Sequence, residues 1–413
     1  LGANKNLNIT STSGNIFMQG DFGAKEDINV KAEKGKIYIK DSKSEVLTDS
    51  RNINARVALT LGTSLSGLKD TLKSSFNVVK NSKELLKMPK IAKKLLSGKD
   101  LNEALAGNEG AIEEVNLIAN GPKSGNAETG LYLSGSLTNT KQSTKIVNSI
   151  GSNLIAKNNI TLKSGDDINL TMVNIISKNI FIDALKNINI YAGKSTMESR
   201  ERTKSLSGSY NLLTDQFSIG ANATKDKLEA ESYSNSKIIG ENINIKGKDL
   251  TIKGANIIGN DVNINVANLH LESLQDKEKS RHNGFNVSVG NSSVGAGVEY
   301  GRKDKSWVNE QSSIIGKNSA NITVEGKTNL IGSVIGGGNT TLRTGELEYS
   351  DIYDKDKGYN FGINGSASFS KNDKGEWNMS KSIGANYGAT DREQINRATA
   401  INTDFEISGK KTS

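Results

Sequence analysis

Asn159-Ile160-Thr161-Leu162 is followed by Asp167-Ile168-Asn169-Leu170, then by Asn179-Ile180-Phe181-Ile182 and Asn187-Ile188-Asn189-Ile190. The third piece repeats the first 20 positions on, and the fourth repeats the second at the same distance. Apolar and polar residues alternate within each piece, the period-2 signature of a strand with one buried face. The block returns from Asn242-Ile243-Asn244-Ile245 to Asn268-Leu269-His270-Leu271, and again from Asn321-Ile322-Thr323-Val324 to Glu346-Leu347-Glu348-Tyr349. Strand-sized pieces at a short fixed period mark a solenoid, because one coil cannot bury its apolar face without a neighbour. Each coil should rise by one inter-strand spacing, ~4.8 Å. Ile, Leu and Val at matching positions should stack into a core column, and inward Asn and Thr positions should stack into hydrogen-bonded ladders.

The same pattern opens the chain, in Asn6-Leu7-Asn8-Ile9, Asn15-Ile16-Phe17-Met18, Asp27-Ile28-Asn29-Val30 and Lys36-Ile37-Tyr38-Ile39. Gly14, Gly20 and Gly35 punctuate it as corners would. Residues 1–60 therefore read as N-terminal coils. From Leu61 the period becomes helical: Leu65, Leu68, Leu72, Phe76 and Val79 share one helix face, and Pro89 interrupts a second apolar run. We read 61–120 as a helical insertion and loop. Its lysines, among them Lys69, Lys73 and Lys80, give it the makeup of an interfacial amphipathic helix. The more ordinary reading is a stripe packed on the solenoid flank.

Residues 121–413 carry a longer period. Leu131-Tyr132-Leu133, Leu206-Ser207-Gly208, Phe285-Asn286-Val287 and Phe361-Gly362-Ile363 begin successive units, near 130, 205, 284 and 360, with the last incomplete. Each unit opens with paired Gly- and Ser-rich alternating segments, which read as β-hairpins, and two coils follow. Charged stretches such as Glu198–Arg202, Asp276–Lys279 and Asp354–Lys357 read as links between units. The run Phe361–Phe369 alternates like a strand of an outer-membrane barrel. The plainer reading is an extra antiparallel sheet lying along the solenoid with one face buried on it. Leu65, Leu68, Leu72, Phe76, Phe285, Val287, Phe361 and Ile363 are the candidate contacts to a membrane or partner.

Composition narrows the function. The 413 residues are only 34% hydrophobic and 5% aromatic, which suits a narrow core column better than a broad globular core. With no Cys, disulfides and thiolate ligation are excluded. The net charge of +8 comes from lysines spread through turns, and no aromatic-studded basic groove points to nucleic acid. The two histidines, His270 and His282, are too few for a zinc site. Asp351, Asp354 and Asp356 could attract Ca²⁺, but no EF-hand loop or glycine-aspartate array surrounds them. Gly326-Lys327-Thr328 lies between strand pieces and lacks the first glycine of a phosphate loop. Asp166-Asp167 and Glu346/Glu348 are the carboxylate pairs open to glycosidase or lyase chemistry, though nothing specifies their separation. We expect no enzyme activity, no cofactor, no metal and no small-molecule substrate.

The stretch Asn268-Leu269-His270-Leu271-Glu272-Ser273-Leu274-Gln275-Asp276 resembles a signature of the haemagglutinin repeats of filamentous-haemagglutinin-like and CdiA-like two-partner-secretion exoproteins. Gly326–Ile335, followed by Leu342–Leu347 and Ser350-Asp351-Ile352, is similar to a second signature of the same repeats. The resemblance implies an all-β fold, a right-handed parallel β-helix with projecting hairpins and one helical insertion. It implies a secreted, cell-surface protein of a Gram-negative bacterium, exported through an outer-membrane secretion barrel. Its partner would be a target-cell receptor or outer membrane, met in adhesion or in contact-dependent delivery of a C-terminal toxin. The resemblance to the CdiA-like subset adds a membrane-engaging conduit as the alternative role. The chain opens at Leu1 without a signal peptide and reads as a piece of something longer.

Overall fold

The computed structural model describes residues 1–62, 130–211 and 216–412. The helical insertion expected over 61–120 lies outside them, except that Leu61 and Gly62 finish a strand. So do its candidate contacts Leu65, Leu68, Leu72 and Phe76. Among the described residues the structure is all β, in two sheet systems.

The first system is the solenoid. Strand Asn159–Ser164 pairs in parallel with Asn179–Ala184, residue for residue, so the repeat of 20 in the sequence is the coil itself. The same strand pairs on its other side with Asp27–Ala32. The first coils of the chain therefore stack directly under those that follow the long insertion. Each coil supplies strands to three parallel columns. One column runs Ile28, Ile160, Ile180, Ile243, Val262. A second runs Ile37, Ile168, Ile188, Leu250, Leu269. A third runs Phe22, Leu154, Ile175, Ile238, Ile257. Apart from Phe22, half-buried at one end, all of these side chains are essentially inaccessible to solvent. Burying an aliphatic side chain this fully stabilises by about 1.5–3 kcal/mol, and each stacks on its own kind above and below.

The asparagine ladders form, but not inward. Asn159 Nδ2 donates to Asp27 at 2.7 Å, Asn179 to Asn159 at 3.0 Å and Asn242 to Asn179 at 2.8 Å. These side chains are half-buried, on the outer face of the coils. Most inward positions are taken by aliphatic groups because an amide buried there would forfeit water on every side not bonded to its neighbour. Threonines do point inward near the end of the stack, where Thr328 Oγ1 donates to Thr344 Oγ1 at 2.9 Å. The corner glycines divide by cause. Gly20 has φ +101°, a conformation that other residues rarely adopt. A Cβ on Gly35 would sit 2.1 Å from the Gly14 carbonyl oxygen of the coil below. Gly14 itself is unconstrained in this way; its N–H donates to Ser11 Oγ.

The second system is an eight-stranded antiparallel sheet built from four hairpins: Ser42–Gly62 with Gly130–Ile150, Gly193–Asn211 with Gln216–Ser234, Asp276–Gly290 with Ser293–Trp307, and Ile352–Lys371 with Trp377–Asn396. A hairpin leaves the solenoid after every second coil, and consecutive hairpins pair edge to edge. The expected sheet lying along the solenoid is corrected. Hairpin strands pack on one another, meet the coils only at their roots, and bury neither face on them. Most aliphatic residues of the coils point inward; an outward ladder of Ile155, Ile176 and Ile239 stays exposed to solvent, with no hairpin face laid on it. The charged links are corrected too. Glu198–Arg202, Asp276–Lys279 and Asp354–Lys357 lie inside hairpin strands, on the root side.

A serine closes the root of each of the first three hairpins. Ser152 Oγ donates to Lys40 O (2.6 Å), Ser236 Oγ to Tyr191 O (2.7 Å) and Ser312 Oγ to Glu272 O (2.6 Å). In each case the serine follows the hairpin and the carbonyl precedes it, so the coil continues as though the hairpin were excised. Each hydroxyl also accepts an N–H from another coil: Gly20, Val173 and Gly254 respectively.

Two outcomes follow. Ser236→Ala leaves the Val173 amide without its buried acceptor and the Tyr191 carbonyl with only the Met172 N–H. It should cost about 1–3 kcal/mol, read as a lower midpoint in urea unfolding. Deleting residues 236–311, a whole unit of two coils and one hairpin, should preserve a cooperative melt by far-UV circular dichroism. Deleting 236–254, a single coil, should broaden the melt and lower its midpoint, because the flanking hairpins then leave one coil apart.

Candidate interaction surface on the hairpin sheet

Cross-strand partners in an antiparallel sheet point to the same side, and alternate residues to opposite sides. The register therefore sorts every hairpin residue onto one of two faces. One face carries Arg56, Ser136, Ser207, Gly220, Ser288, Gly295, Ser366 and Ser382 in a single row. The next row on that face is Asn54, Thr138, Ser205, Asn222, Asn286, Gly297, Asn364 and Gly384. Hydroxyls bridge strands here, as between Ser366 and Ser382 at 2.7 Å and between Thr140 and Thr203 at 3.1 Å. Asparagines lie across facing glycines: a Cβ on Gly384 would stand 2.3 Å from Asn364 Oδ1. Toward the tips this face is small and polar; at the roots it carries Val46, Ile146, Met197 and Leu228.

The opposite face is apolar toward the hairpin tips. One row reads Ala55, Leu137, Leu206, Ala221, Val287, Ala296, Gly365, Ile383. The row beyond it holds Val57, Ile219, Val289, Val294 and Ala367, with Lys381 at the edge. The row on its root side holds Ile53, Ala223, Phe285, Val298, Ile363 and Ala385, interrupted by Asn139 and Lys204. Phe285 is 50% exposed and Ile383 85%. The candidates Phe285, Val287, Phe361 and Ile363 all fall on this face, Phe285 and Ile363 in one row. A contiguous apolar surface of this kind marks an interaction site.

The neighbouring rows on the root side of the same face change character. Arg51, Lys141, Arg202 and Lys225 are successive partners, and the row continues through Asn283 into Tyr300, Phe361 and Tyr387. The next row begins with Asp49 and Ser143, carries Arg200, Lys227, Arg281 and Arg302, and ends in Tyr359 and Ala389. Sequence reading missed this belt because its members lie far apart along the chain. Only the pairing register brings them together, and the charged links had looked like spacers.

The motif that carried the family resemblance proves to be root chemistry. Ser273 Oγ donates to Gly332 O at 2.6 Å and accepts the Ser312 N–H at 2.8 Å. Gln275 Nε2 donates to Tyr353 O and Asp354 Oδ1, and Asp276 accepts the Tyr233 N–H at 2.7 Å. Asp354 repeats the role of Asp276 one hairpin on, accepting the Val308 N–H at 2.9 Å. These side chains tie successive hairpins to one another where they leave the coils.

Residues 133–289 match the family model of the hemagglutinin repeat. They form a hemagglutinin-repeat region. The match begins in the second strand of the first hairpin and ends near the tip of the third, so the repeat includes hairpins as well as coils. No curated protein and no solved structure matches the chain. The match is consistent with a filamentous-haemagglutinin-like repeat region.

The remaining sequence candidates have partners within the fold. Lys36 Nζ stands 2.7 Å from Asp167. Burial alone pushes that carboxyl up, but the Lys36 bond and the Asn187 N–H outweigh it and hold it below its ordinary range. A general acid needs the opposite shift. Glu346 and Glu348 share Lys327. Asp351 accepts the Ala398 N–H at 3.0 Å, and Asp356 pairs with Arg392. Among the described residues no three metal-capable side chains converge. His270 pairs with Glu272 on the solenoid at 2.9 Å.

His282 stands on the polar hairpin face. Its Nδ1 lies 2.5 Å from Asp226 and its Nε2 3.5 Å from Glu299, one carboxylate on each side. The hydrogen bond to Asp226, helped by Glu299 and opposed by partial burial, holds the imidazole above its ordinary 6.5. The stabilisation from this ion pair is complete below 6.5 and is lost as pH rises through the raised value. The melting-temperature gap between the native protein and His282→Gln should therefore be widest near about pH 5.5 and should close by about pH 8.5.

Proposed function

We propose that this chain is a rigid, non-enzymatic stalk segment of a surface exoprotein whose hairpin sheet engages the outer membrane of a neighbouring cell. The role would be adhesion or the contact-dependent delivery of a C-terminal toxin, after export through an outer-membrane secretion barrel. One observation carries the reading: an eight-stranded sheet, anchored on a stack of coils, has toward its tips an apolar face left open and a polar face opposite. Apolar residues alternating with small polar ones over about ten residues per strand is the pattern of chains that meet a bilayer as strands. Beyond the row of Phe361, the fourth hairpin extends ten residues to Lys371, about 33 Å of strand. The hydrocarbon core is about 30 Å thick. Large side chains on this face, Trp377, Met379 and Ile383, are exposed in the free protein. A stalk that held a receptor by shape alone would have no reason to segregate its faces in this way.

Co-sedimentation with vesicles of lipopolysaccharide and phospholipid, followed by protease digestion, tests this. We expect the chain to sediment with the vesicles and its hairpin tips to be shielded from cleavage. Val287→Asp combined with Ile363→Asp should release it at least about tenfold, since both charges enter the apolar face, while its melting temperature stays close to the native one. A chain that remains in the supernatant with every vesicle, its tips cleaved freely, would leave a soluble rod with a protein or glycan receptor.

A further inference from the structure

We propose that the two cationic rows form an anion belt that seats on the lipid phosphates of an anionic bilayer surface, with the apolar rows beside them entering the acyl region. The proposal rests on the membrane reading above and names the chemistry that this face recognises. Three observations carry it.

The first is unspent charge. Lys141, Arg200, Arg202, Lys225, Arg281 and Arg302 are exposed, and among the described residues none has a carboxylate within salt-bridge distance. Elsewhere on the hairpins some lysines are matched, Lys194 with Glu231, Lys303 with Glu278 and Lys357 with Glu393. Among the described residues Lys277, Lys305 and Lys381 stand without a salt bridge but are not gathered in one row. In the belt only Lys227 has such a partner, Glu229. Cations gathered on neighbouring strands repel one another. Asp49 and the next row's Glu198, Glu229 and Asp304 offset this for the second row, and the tip-side row of Arg51, Lys141, Arg202 and Lys225 is left to an outside anion.

The second is position. The belt lies on the same face as the apolar rows and directly on their root side. A surface that pushes its apolar tip into lipid brings the next two rows to the depth of the phosphates. Lys and Arg near an anionic leaflet each add to binding through its surface potential.

The third is the aromatic continuation of the row. Arg51, Lys141, Arg202 and Lys225 share one register line with Tyr300, Phe361 and Tyr387. Tyr favours the headgroup level, where its ring is half apolar and its hydroxyl is wet. Two unrelated chemistries in one row point to the same depth. The polar Ser/Gly/Asn/Thr face cannot enter hydrocarbon unpaired, so the sheet seats apolar face down with the polar face in water.

The test compares the full chain on phosphatidylcholine vesicles with the same vesicles containing phosphatidylglycerol. Binding should strengthen at least about tenfold with the anionic lipid and weaken with salt. Arg200→Gln, Arg202→Gln, Arg281→Gln and Arg302→Gln together should abolish that gain while leaving binding to phosphatidylcholine and the melting temperature as they were. The matching Arg→Lys set should keep the gain. Equal binding to both vesicles, or a gain that survives the four Gln substitutions, overturns the belt while the membrane reading stands. Release by inorganic phosphate beyond that of sodium chloride at equal ionic strength also overturns it, in favour of a small-anion site. No binding to either vesicle overturns both.

Discussion

The structure depends on one spacing. Hydrogen-bonded strands stand ~4.8 Å apart whether they run parallel or antiparallel. Two coils therefore advance the solenoid by about 9.6 Å, and one hairpin, being two strands, occupies the same width. A hairpin leaving after every second coil meets the previous one in register, without a gap or a crowd. This match lets two sheets of opposite kind grow together from one chain. It also explains why the roots are so heavily bonded. The serine at each of the first three exits keeps the coil in step, and Asp276 and Asp354 keep neighbouring hairpins in step with each other.

The two systems then divide the physical work. The solenoid is stabilised from within by three aliphatic columns and ladders of outward asparagines, and it needs no surface beyond its own. The hairpin sheet has backbone pairing and root bonds but no second layer. Its stability therefore comes from its pairing and its base, and its apolar face stays uncommitted. His282 adds a local tie between the second and third hairpins, through Asp226 and Glu299, where charge lies on the polar face.

Much of the solenoid was legible in the sequence, because its signal is local and repetitive. The pieces at Asn159 and Asn179 differ by one coil, and the pairing register reproduces that difference residue for residue. The orientation of the asparagines was not, since a ladder reads the same whether it faces in or out; burial decides it. The hairpins were half legible. Phe285, Val287, Phe361 and Ile363 announced an alternating face, but the charged residues nearer the roots broke the alternation and passed for linkers. They belong to the same strands, and only cross-strand pairing shows that Arg202 stands beside Lys225 and Lys141. A site made by register between segments remote in sequence leaves no spacing for a motif to record.

A sheet with one dry face ordinarily belongs to a two-layer arrangement, with a helix or a second sheet completing the core. Neither layer is available from the described part of this chain. The coils turn most of their aliphatic residues inward, and their outward Ile155, Ile176 and Ile239 stay exposed with no hairpin face packed on them. Toward the tips the opposite hairpin face is Ser, Gly, Asn and Thr, too small and too wet to pack against anything apolar. The face that holds Val287, Ile363 and Ile383 can complete its second layer only from outside those residues. A bilayer supplies that layer without shape complementarity, and over a width set only by how many hairpins the solenoid carries. A belt of unmatched cations along the root side of such a face gives the docking a direction: tips toward the lipid interior, stalk held in water.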